Sequence, residues 1–172
     1  MKKLSLVFVF LLLQIIFVHA NSNISFIDID KILSDSKPGQ SILKQLNVEN
    51  NVILKDFEKE EKKLKDNEKK LISQKKLIST EDFDSKLKKL RLEINQYNER
   101  KKKKINDFQK LKINSTNKFL KLLNPILIEY SEKNSIPLIL HKKNLIIGKA
   151  EFDITEEILI KVNSDMIEFK IK

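Results

Sequence analysis

Apolar residues recur at helical spacing through the middle of this chain, between residues 41 and 130. In the first half of this stretch they stand seven or four residues apart; in the second half steps of four and three alternate from Phe83 to Tyr97, and the stripe resumes at Phe108. Such spacing places one narrow apolar stripe on each of two helices, as expected where each helix faces a single partner. The stripe residues are Leu46, Ile53, Phe57, Leu64 and Leu71, followed by Phe83, Leu87, Leu90, Ile94, Tyr97, Phe108, Leu111, Phe119, Leu122 and Ile126. The pattern predicts a long helical hairpin.

Residues 73–81 are predicted to form the tip of this hairpin. Ser79 can accept a hydrogen bond from a free amide at the start of the second helix, with Asp82 reaching back. Ile78 can pack on Phe83 as a hydrophobic staple. These local contacts make the tip a specific prediction.

The beginning of the first helix is expected near Gln40 or Ser41, because Pro38 and Gly39 are poor residues for a helix interior. About 33 residues in the first helix and about 48 in the second, at 1.5 Å per residue, give arms of roughly 50 Å and 70 Å. The second helix must therefore extend past the first into the rest of the protein.

Two features bear on the continuity of the second helix. Lys101 and Lys104 stand where the stripe requires apolar residues, so continuity across residues 100–104 is less secure, although lysine is a good helix former. Pro125 can kink the last turns.

Short β-prone segments flank the hairpin on both sides. Residues 23–29 alternate like a strand, and residues 136–141 and 145–147 predict two more strands joined by a hairpin turn at residues 142–144. The run Asp153-Ile-Thr-Glu156 is typical of a capping box and predicts a short helix carrying Ile154, Ile158, Leu159 and Val162. The fold class is therefore α+β, with a coiled-coil hairpin attached to a small β body.

The tail of the chain alternates apolar Ile167, Phe169 and Ile171 with charged residues. It predicts either one more edge strand or a frayed terminus. No role is assigned to it.

The amino terminus predicts export. Residues 1–20 combine a positive start, an apolar run and a small-residue ending, as in a secretory signal peptide cleaved near Ala20. The apolar run is shorter than the roughly 20 residues that span a bilayer. Residues 21–172 would then form one domain, with residues 41–130 as the arm and residues 21–40 and 131–172 as the body. The chain contains no cysteine, so disulfides cannot stabilise it.

Charge is concentrated on the hairpin. The chain carries a formal net charge of +10, and residues 55–112 alone hold 20 lysines or arginines against 12 aspartates or glutamates. The arm should attract anionic surfaces at moderate salt. The candidate polyanion-attracting residues form the densest cluster, Arg100, Lys101, Lys102, Lys103 and Lys104, whose alternative interpretation is a solvated helix face. Because export removes the chain from nucleic acid, anionic lipid head groups are the more plausible polyanion.

No catalytic constellation is found in the sequence. His141 is the one histidine outside the predicted signal peptide, and Gly39 and Gly148 are the only glycines, so neither a histidine-based site nor a glycine-rich phosphate loop is available. We predict no enzymatic activity, no cofactor and no metal.

The sequence resembles the Skp (OmpH-like) family of periplasmic chaperones for outer-membrane proteins. The residues that carry the likeness are Ile24-Ser-Phe-Ile-Asp-Ile-Asp-Lys-Ile-Leu33, Pro38-Gly39, Pro125-Ile-Leu-Ile-Glu-Tyr130, Ile136-Pro-Leu-Ile-Leu140 and Asp153-Ile-Thr155. The resemblance implies a jellyfish-like trimer whose helical hairpins hang as tentacles from a shared β body. It also implies an ATP-independent holdase that keeps unfolded β-barrel proteins from aggregating in the periplasm, with lipopolysaccharide as a further anionic surface.

Candidate site residues follow from this expectation. The candidate client-contacting residues of the arm are Phe57, Leu64, Leu71, Phe83, Leu87 and Leu90, for which the hairpin seam is the favoured alternative. The candidate oligomer-body residues are Ile24, Phe26, Ile27, Ile29, Leu138, Leu140 and Ile146. The competing functions are a structural coiled-coil scaffold of the envelope and a protein that binds anionic lipid surfaces.

Overall fold

A computed structural model describes residues 24–171 of the chain. The elements are, in order, β1 (Ile24–Ile27), α1 (Ile29–Asp35), α2 (Lys37–Gln74), α3 (Thr80–Lys133), β2 (Leu138–His141), two 3₁₀ turns (Lys142–Asn144 and Ala150–Phe152) and α4 (Thr155–Asp165). The predicted signal peptide, residues 1–20, lies outside the described residues. Within residues 24–171, no helix has an apolar stretch long enough to cross a membrane.

The two long helices are present as predicted, and both exceed their expected length. Helix α2 has 38 residues and α3 has 54, which corresponds to about 57 Å and about 81 Å at 1.5 Å per residue. At the tip, the Ser79 hydroxyl accepts a hydrogen bond from the Asp82 amide at 3.1 Å, so the predicted cap is confirmed. Helix α3 continues without a break through residues 100–104 and through Pro125.

The expected start of the first helix near Gln40 or Ser41 is wrong, because α2 already begins at Lys37. Proline is tolerated in a first helical turn, where its missing N–H would have no helical partner. Ser36 caps the turn by accepting a hydrogen bond from the Gly39 amide at 3.1 Å. Pro38 and Gly39 thus mark the entry of the helix and do not interrupt it.

The sheet has two strands within the described chain. β1 and β2 run parallel, with Ile24 beside Leu138 and Ile27 beside His141. The predicted hairpin between residues 136–141 and 145–147 is wrong: residues 142–144 form a 3₁₀ turn, and residues 145–147 belong to no strand. β2 instead pairs with β1. The apolar residues of β1 anchor the sheet in the core.

One hydrophobic core joins the body to the root of the arm. Its fully buried side chains come from β1, α1, α2, α3 and α4, and they include Ile27, Ile32, Ile42, Phe119, Leu123, Ile158 and Val162. The stripe on α3 continues from Phe119 to Leu123, and Leu122 is 39% exposed, so the prediction of Leu122 in the stripe is wrong. The spacing of four and then three from Phe119 through Leu123 to Ile126 keeps the buried face in line.

Helix α4 begins without the predicted capping box. Its N-cap residue is Ile154, which makes no side-chain cap. The Asp153 carboxylate accepts hydrogen bonds from the amide and the hydroxyl of Thr155, and the Thr155 hydroxyl accepts one from the Asp28 amide at 2.9 Å. These groups therefore join α4 to the start of α1. The predicted short helix is confirmed. Of the four apolar residues predicted for it, Ile154, Ile158 and Val162 belong to the core, whereas Leu159 is half-buried.

Candidate functional site

The arm is held together by an apolar seam between α2 and α3. Phe57 and Tyr97 meet at its middle with ring centroids 6.4 Å apart and an interplanar angle of 86°. Such edge-to-face pairs stabilise a contact beyond the area they bury. Leu71 and Leu90 are buried nearer the tip. The seam therefore extends along the arm, with few residues contributing at each level.

At the middle of the same seam, polar and charged side chains also connect the two helices. We call this cluster the mid-arm clamp; it consists of Asp56, Glu60 and Glu61 on α2 and Tyr97, Arg100, Lys101 and Lys104 on α3. The Lys101 ammonium lies 2.6 Å from Glu61 Oε1, and the Tyr97 hydroxyl donates to the same oxygen at 2.6 Å. Two further ion pairs, Arg100 with Glu60 at 2.9 Å and Lys104 with Asp56 at 3.0 Å, also connect the two helices.

The clamp shifts the pKa values of its central groups. Hydrogen bonds from Lys101 and then from Tyr97 lower the pKa of Glu61. The hydrogen bond to Glu61 raises the pKa of Lys101, while burial and then the bond to Glu61 raise the pKa of Tyr97. All three shifts favour a charged Glu61 and Lys101 beside a protonated Tyr97 at neutral pH.

The predicted polyanion-attracting residues are mostly engaged with carboxylates. Arg100, Lys101 and Lys104 pair with carboxylates in the mid-arm clamp. Lys103 pairs with Asp107 on its own helix at 2.6 Å. Lys102 is exposed. Much of the local charge is thus balanced within the arm, although the excess of cations over residues 55–112 remains.

The predicted client-contacting residues all lie in or beside the seam. Phe57, Leu71 and Leu90 are each less than a tenth exposed, and Leu64, Phe83 and Leu87 are half-buried. In this conformation these side chains face the partner helix, as the alternative interpretation of the stripe proposed.

A different group of apolar side chains is exposed along the arm. We call it the outward apolar set; its members are at least 44% exposed and are Val48, Val52, Leu54, Ile72, Leu77, Leu92, Ile105 and Ile113. Val48 and Val52 lie one turn apart on α2 and so share a face. Sequence reasoning missed this set because it followed the dominant stripe. The sequence signal for this set is the group of apolar residues on the two helices that do not belong to the stripe.

The body residues proposed for oligomer contacts fall into two groups. Phe26 and Ile27 are buried within the chain itself, and Ile29 and Leu140 are half-buried. The second group, Ile24, Leu138 and Ile146, is exposed to solvent, Ile146 fully so. Ile147, the neighbour of Ile146, is also exposed.

An apolar groove of about 380 Å³ borders this surface. It lies beside β2 and the end of α3, and its lining includes Ile29, Leu127, Ile136 and Leu138. The body thus presents apolar surface next to a two-stranded sheet, and a sheet of this size is marginal by itself in water.

Metal-binding chemistry has no evident place in the described chain. Within residues 24–171, no group of three or more histidine, cysteine, aspartate or glutamate side chains is arranged to hold a metal ion. The carboxylates described above are instead occupied by lysine, arginine and hydroxyl donors.

Comparison with known proteins identifies one family and one fold. The family model described as outer membrane protein (OmpH-like) matches residues 23–162. The structure is similar to that of an OmpH-like protein from Caulobacter crescentus, assigned as an outer membrane chaperone, with a TM-score of 0.78 and 11% identity. The similarity covers 86% of this chain and 88% of that chain. A comparison with curated proteins gives no match.

Proposed function

We propose, from the premise that this chain belongs to the OmpH-like outer membrane protein family, that it is a periplasmic chaperone for unfolded outer-membrane β-barrel proteins. It acts as an ATP-independent holdase, which keeps its clients from aggregating between export and membrane assembly. Cleavage near Ala20 releases residues 21–172 as one domain. No enzymatic step is part of this proposal.

The observation that carries the proposal is the outward apolar set. Side chains such as Val52, Leu54 and Ile113 are more than half exposed on helices whose remaining surface is charged. Isolated apolar positions spread along an arm can make many weak contacts with an unfolded chain without forming one large patch that would self-associate.

The charge of the arm supports the same role. The surplus of lysine and arginine over residues 55–112 attracts acidic or partly acidic unfolded chains and raises their rate of encounter. Anionic lipid or lipopolysaccharide surfaces would be attracted by the same field. Binding that follows lipid charge alone, and that survives removal of the outward apolar set, would favour the lipid-surface function over the holdase.

The body is proposed to assemble three chains. The exposed residues Ile24 and Leu138 are partners in the register of the two-stranded sheet, and Ile146 and Ile147 project from the loop that follows β2. Strands from neighbouring copies would extend this small sheet and cover its apolar surroundings. Three arms around one body would then enclose a client, as the family resemblance implies.

The test is suppression of aggregation. A urea-denatured outer-membrane barrel protein is diluted into buffer with residues 21–172, and turbidity and the mass of the soluble complex are measured. We expect one client per trimer to remain soluble. A chain that leaves the client to precipitate would favour the envelope scaffold.

Matched variants locate the client contacts. A variant carrying Val48→Ser, Val52→Ser and Ile113→Ser should fold normally, because exposed substitutions usually change stability by less than about 0.5 kcal/mol, and it should lose client capture. Ile160→Ser, an equally exposed change on α4, should retain it. Equal capture by both variants would contradict the proposed surface.

A second pair of variants tests the assembly. The double change Ile24→Asp and Leu138→Asp should reduce the mass in solution from three chains to one, whereas Ile160→Asp should leave it unchanged. A monomeric unmodified protein would overturn the trimer.

A further inference from the structure

The tail of the chain lies across the root of the arm. After α4 the backbone becomes extended at Met166, with φ −90° and ψ 120°, and Met166 is part of the core. Phe169 and Ile171 pack against that core, while Glu168 and Lys170 are exposed. From Glu168 to Ile171 the side chains therefore alternate between solvent and core, as in a β-strand with one buried face. The expectation of a frayed terminus is wrong, and no edge strand forms among residues 166–171.

One glutamine side chain holds the backbone of this tail. Gln45 of α2 donates from Nε2 to the Phe169 carbonyl at 3.0 Å and accepts at Oε1 from the Ile171 amide at 3.2 Å. An amide that bonds the carbonyl of one residue and the N–H two residues later imitates a neighbouring parallel strand. Because both partners are backbone groups, this recognition requires an extended conformation but no particular side chain.

The other half of the site comes from α3. The Lys118 ammonium lies 4.3 Å from the centroid of the Phe169 ring, within the range of a cation–π contact. Gln45 and Lys118 thus hold the tail between the two helices of the arm. We call the surface formed by these two residues and the core beneath the tail the arm-root site.

The tail is a weakly held occupant of this site. Phe169 and Ile171 keep part of their surface in solvent, and Ile167 is 85% exposed. The two backbone hydrogen bonds that hold it both involve a single side chain. Local opening of such a segment costs far less than global unfolding.

We propose that the arm-root site binds extended client segments that alternate apolar and polar residues, and that residues 167–171 are its intramolecular occupant, displaced when a client binds. Membrane-spanning strands of β-barrels have this alternating pattern, and the tail has it too. The tail therefore competes with clients and keeps the apolar floor of the site covered in their absence. This inference rests on the proposed holdase function.

Hydrogen exchange of the Ile171 amide tests the displacement directly. In the unmodified protein alone this amide should be protected, because it donates to Gln45. Addition of a urea-denatured outer-membrane barrel protein should remove the protection. Protection that persists in the soluble complex would overturn the inference while leaving the holdase intact, whereas failure to hold the client at all would overturn the proposed function itself.

Truncation after Met166 tests the competition. Since the tail reduces the fraction of open sites, its removal should tighten client binding, by about threefold or more. Adding Gln45→Ala to the truncated chain should reverse this gain. Ile160→Ser, which alters an exposed residue of α4 outside the arm-root site, is the matched control and should leave affinity unchanged.

Circular dichroism and light scattering establish whether the truncated chain keeps its fold and assembly. A truncated chain that is folded and assembled but binds the client no more tightly would show that the tail is only a structural strap. The same conclusion would follow if Gln45→Ala had no effect on client binding in the truncated chain.

Discussion

Glycine is required at position 39 because two backbone segments approach each other closely there. A Cβ at this position would lie 2.0 Å from the Leu33 carbonyl oxygen and 2.7 Å from its carbon. Backbone atoms cannot rotate away as a flexible side chain can, so α1 or the first turn of α2 would have to move. We predict that Gly39→Ala destabilises the protein by about 1–3 kcal/mol, the range typical of overpacked sites, as measured by urea unfolding.

The control for this substitution is Lys44→Ala, an exposed change on the same helix. It should shift the free energy of unfolding by no more than about 0.5 kcal/mol. An equal effect of the two substitutions would show that the contact between α1 and α2 at Gly39 is not tight.

Glu61 reports the state of the mid-arm clamp through its pKa. The hydrogen bonds from Lys101 and Tyr97 lower this pKa below its ordinary value of 4.5. A lowered folded-state pKa contributes stability that is present above the ordinary value and lost as pH falls through the folded-state pKa. We predict that the clamp is intact at neutral pH and loosens in acid. Carboxyl NMR of Glu61 should show its transition below pH 4.5.

Substitutions separate the two donors to Glu61. Lys101→Met should raise the pKa of Glu61 the most, and Tyr97→Phe should raise it less, because the hydrogen bond from Lys101 is the larger cause. Lys102→Met removes a neighbouring exposed cation and should have the smallest effect. A pKa of Glu61 that is insensitive to Lys101→Met would mean that the clamp does not form in solution.

The tip of the arm, where α2 ends and α3 begins, should open locally without unfolding of the core. Ser79 caps α3 through the Asp82 amide at 3.1 Å, far along the chain from the buried body residues. Loss of an N-cap costs about 0.5–2 kcal/mol, but here the loss should appear as local fraying. We predict that Ser79→Ala speeds hydrogen exchange at Asp82 while the midpoint of global unfolding stays nearly constant. Ser85→Ala, an exposed change without a cap, should leave exchange at Asp82 unchanged.

Helices were predictable from the sequence because their determinants are local. The spacing of residues such as Leu64 and Leu71 and the cap at Ser79 fix the hairpin without reference to distant parts of the chain. The pairing of β1 with β2 was not predictable, because residues on opposite sides of the arm, Ile24 and Leu138, become neighbours only after the hairpin has formed. The same holds for the tail, whose place depends on Gln45.

The candidate site was only partly predictable at the scale of the whole molecule. The sequence shows that the arm carries excess positive charge, and this holds in the structure. It does not show that Arg100, Lys101 and Lys104 reach across the seam to carboxylates on α2, because those partners are 40 to 48 residues away in the chain. The densest run of cations is therefore partly neutralised, and the net field is distributed along the arm.

Because the charge is distributed along the exposed arm, the rate of client capture should depend on salt. Charges on an exposed arm are screened over about 10 Å at 0.1 M ionic strength, so client capture should slow as salt rises from about 0.05 M to about 0.5 M while the captured complex, held by apolar contacts, persists. Lys69→Gln with Lys70→Gln, near the tip, should reproduce part of this slowing at low salt. Stopped-flow fluorescence of a labelled, denatured barrel protein measures the rate.

The matched control removes the same amount of charge from the body. Lys133→Gln with Lys143→Gln changes two exposed cations outside the basic stretch of the arm. If the arm directs the encounter, this pair should slow capture much less than the pair near the tip, because a screened field acts over a short range. Equal slowing by both pairs would mean that net charge alone controls the encounter. A rate that does not depend on salt would mean that the excess of cations on the arm has no part in it.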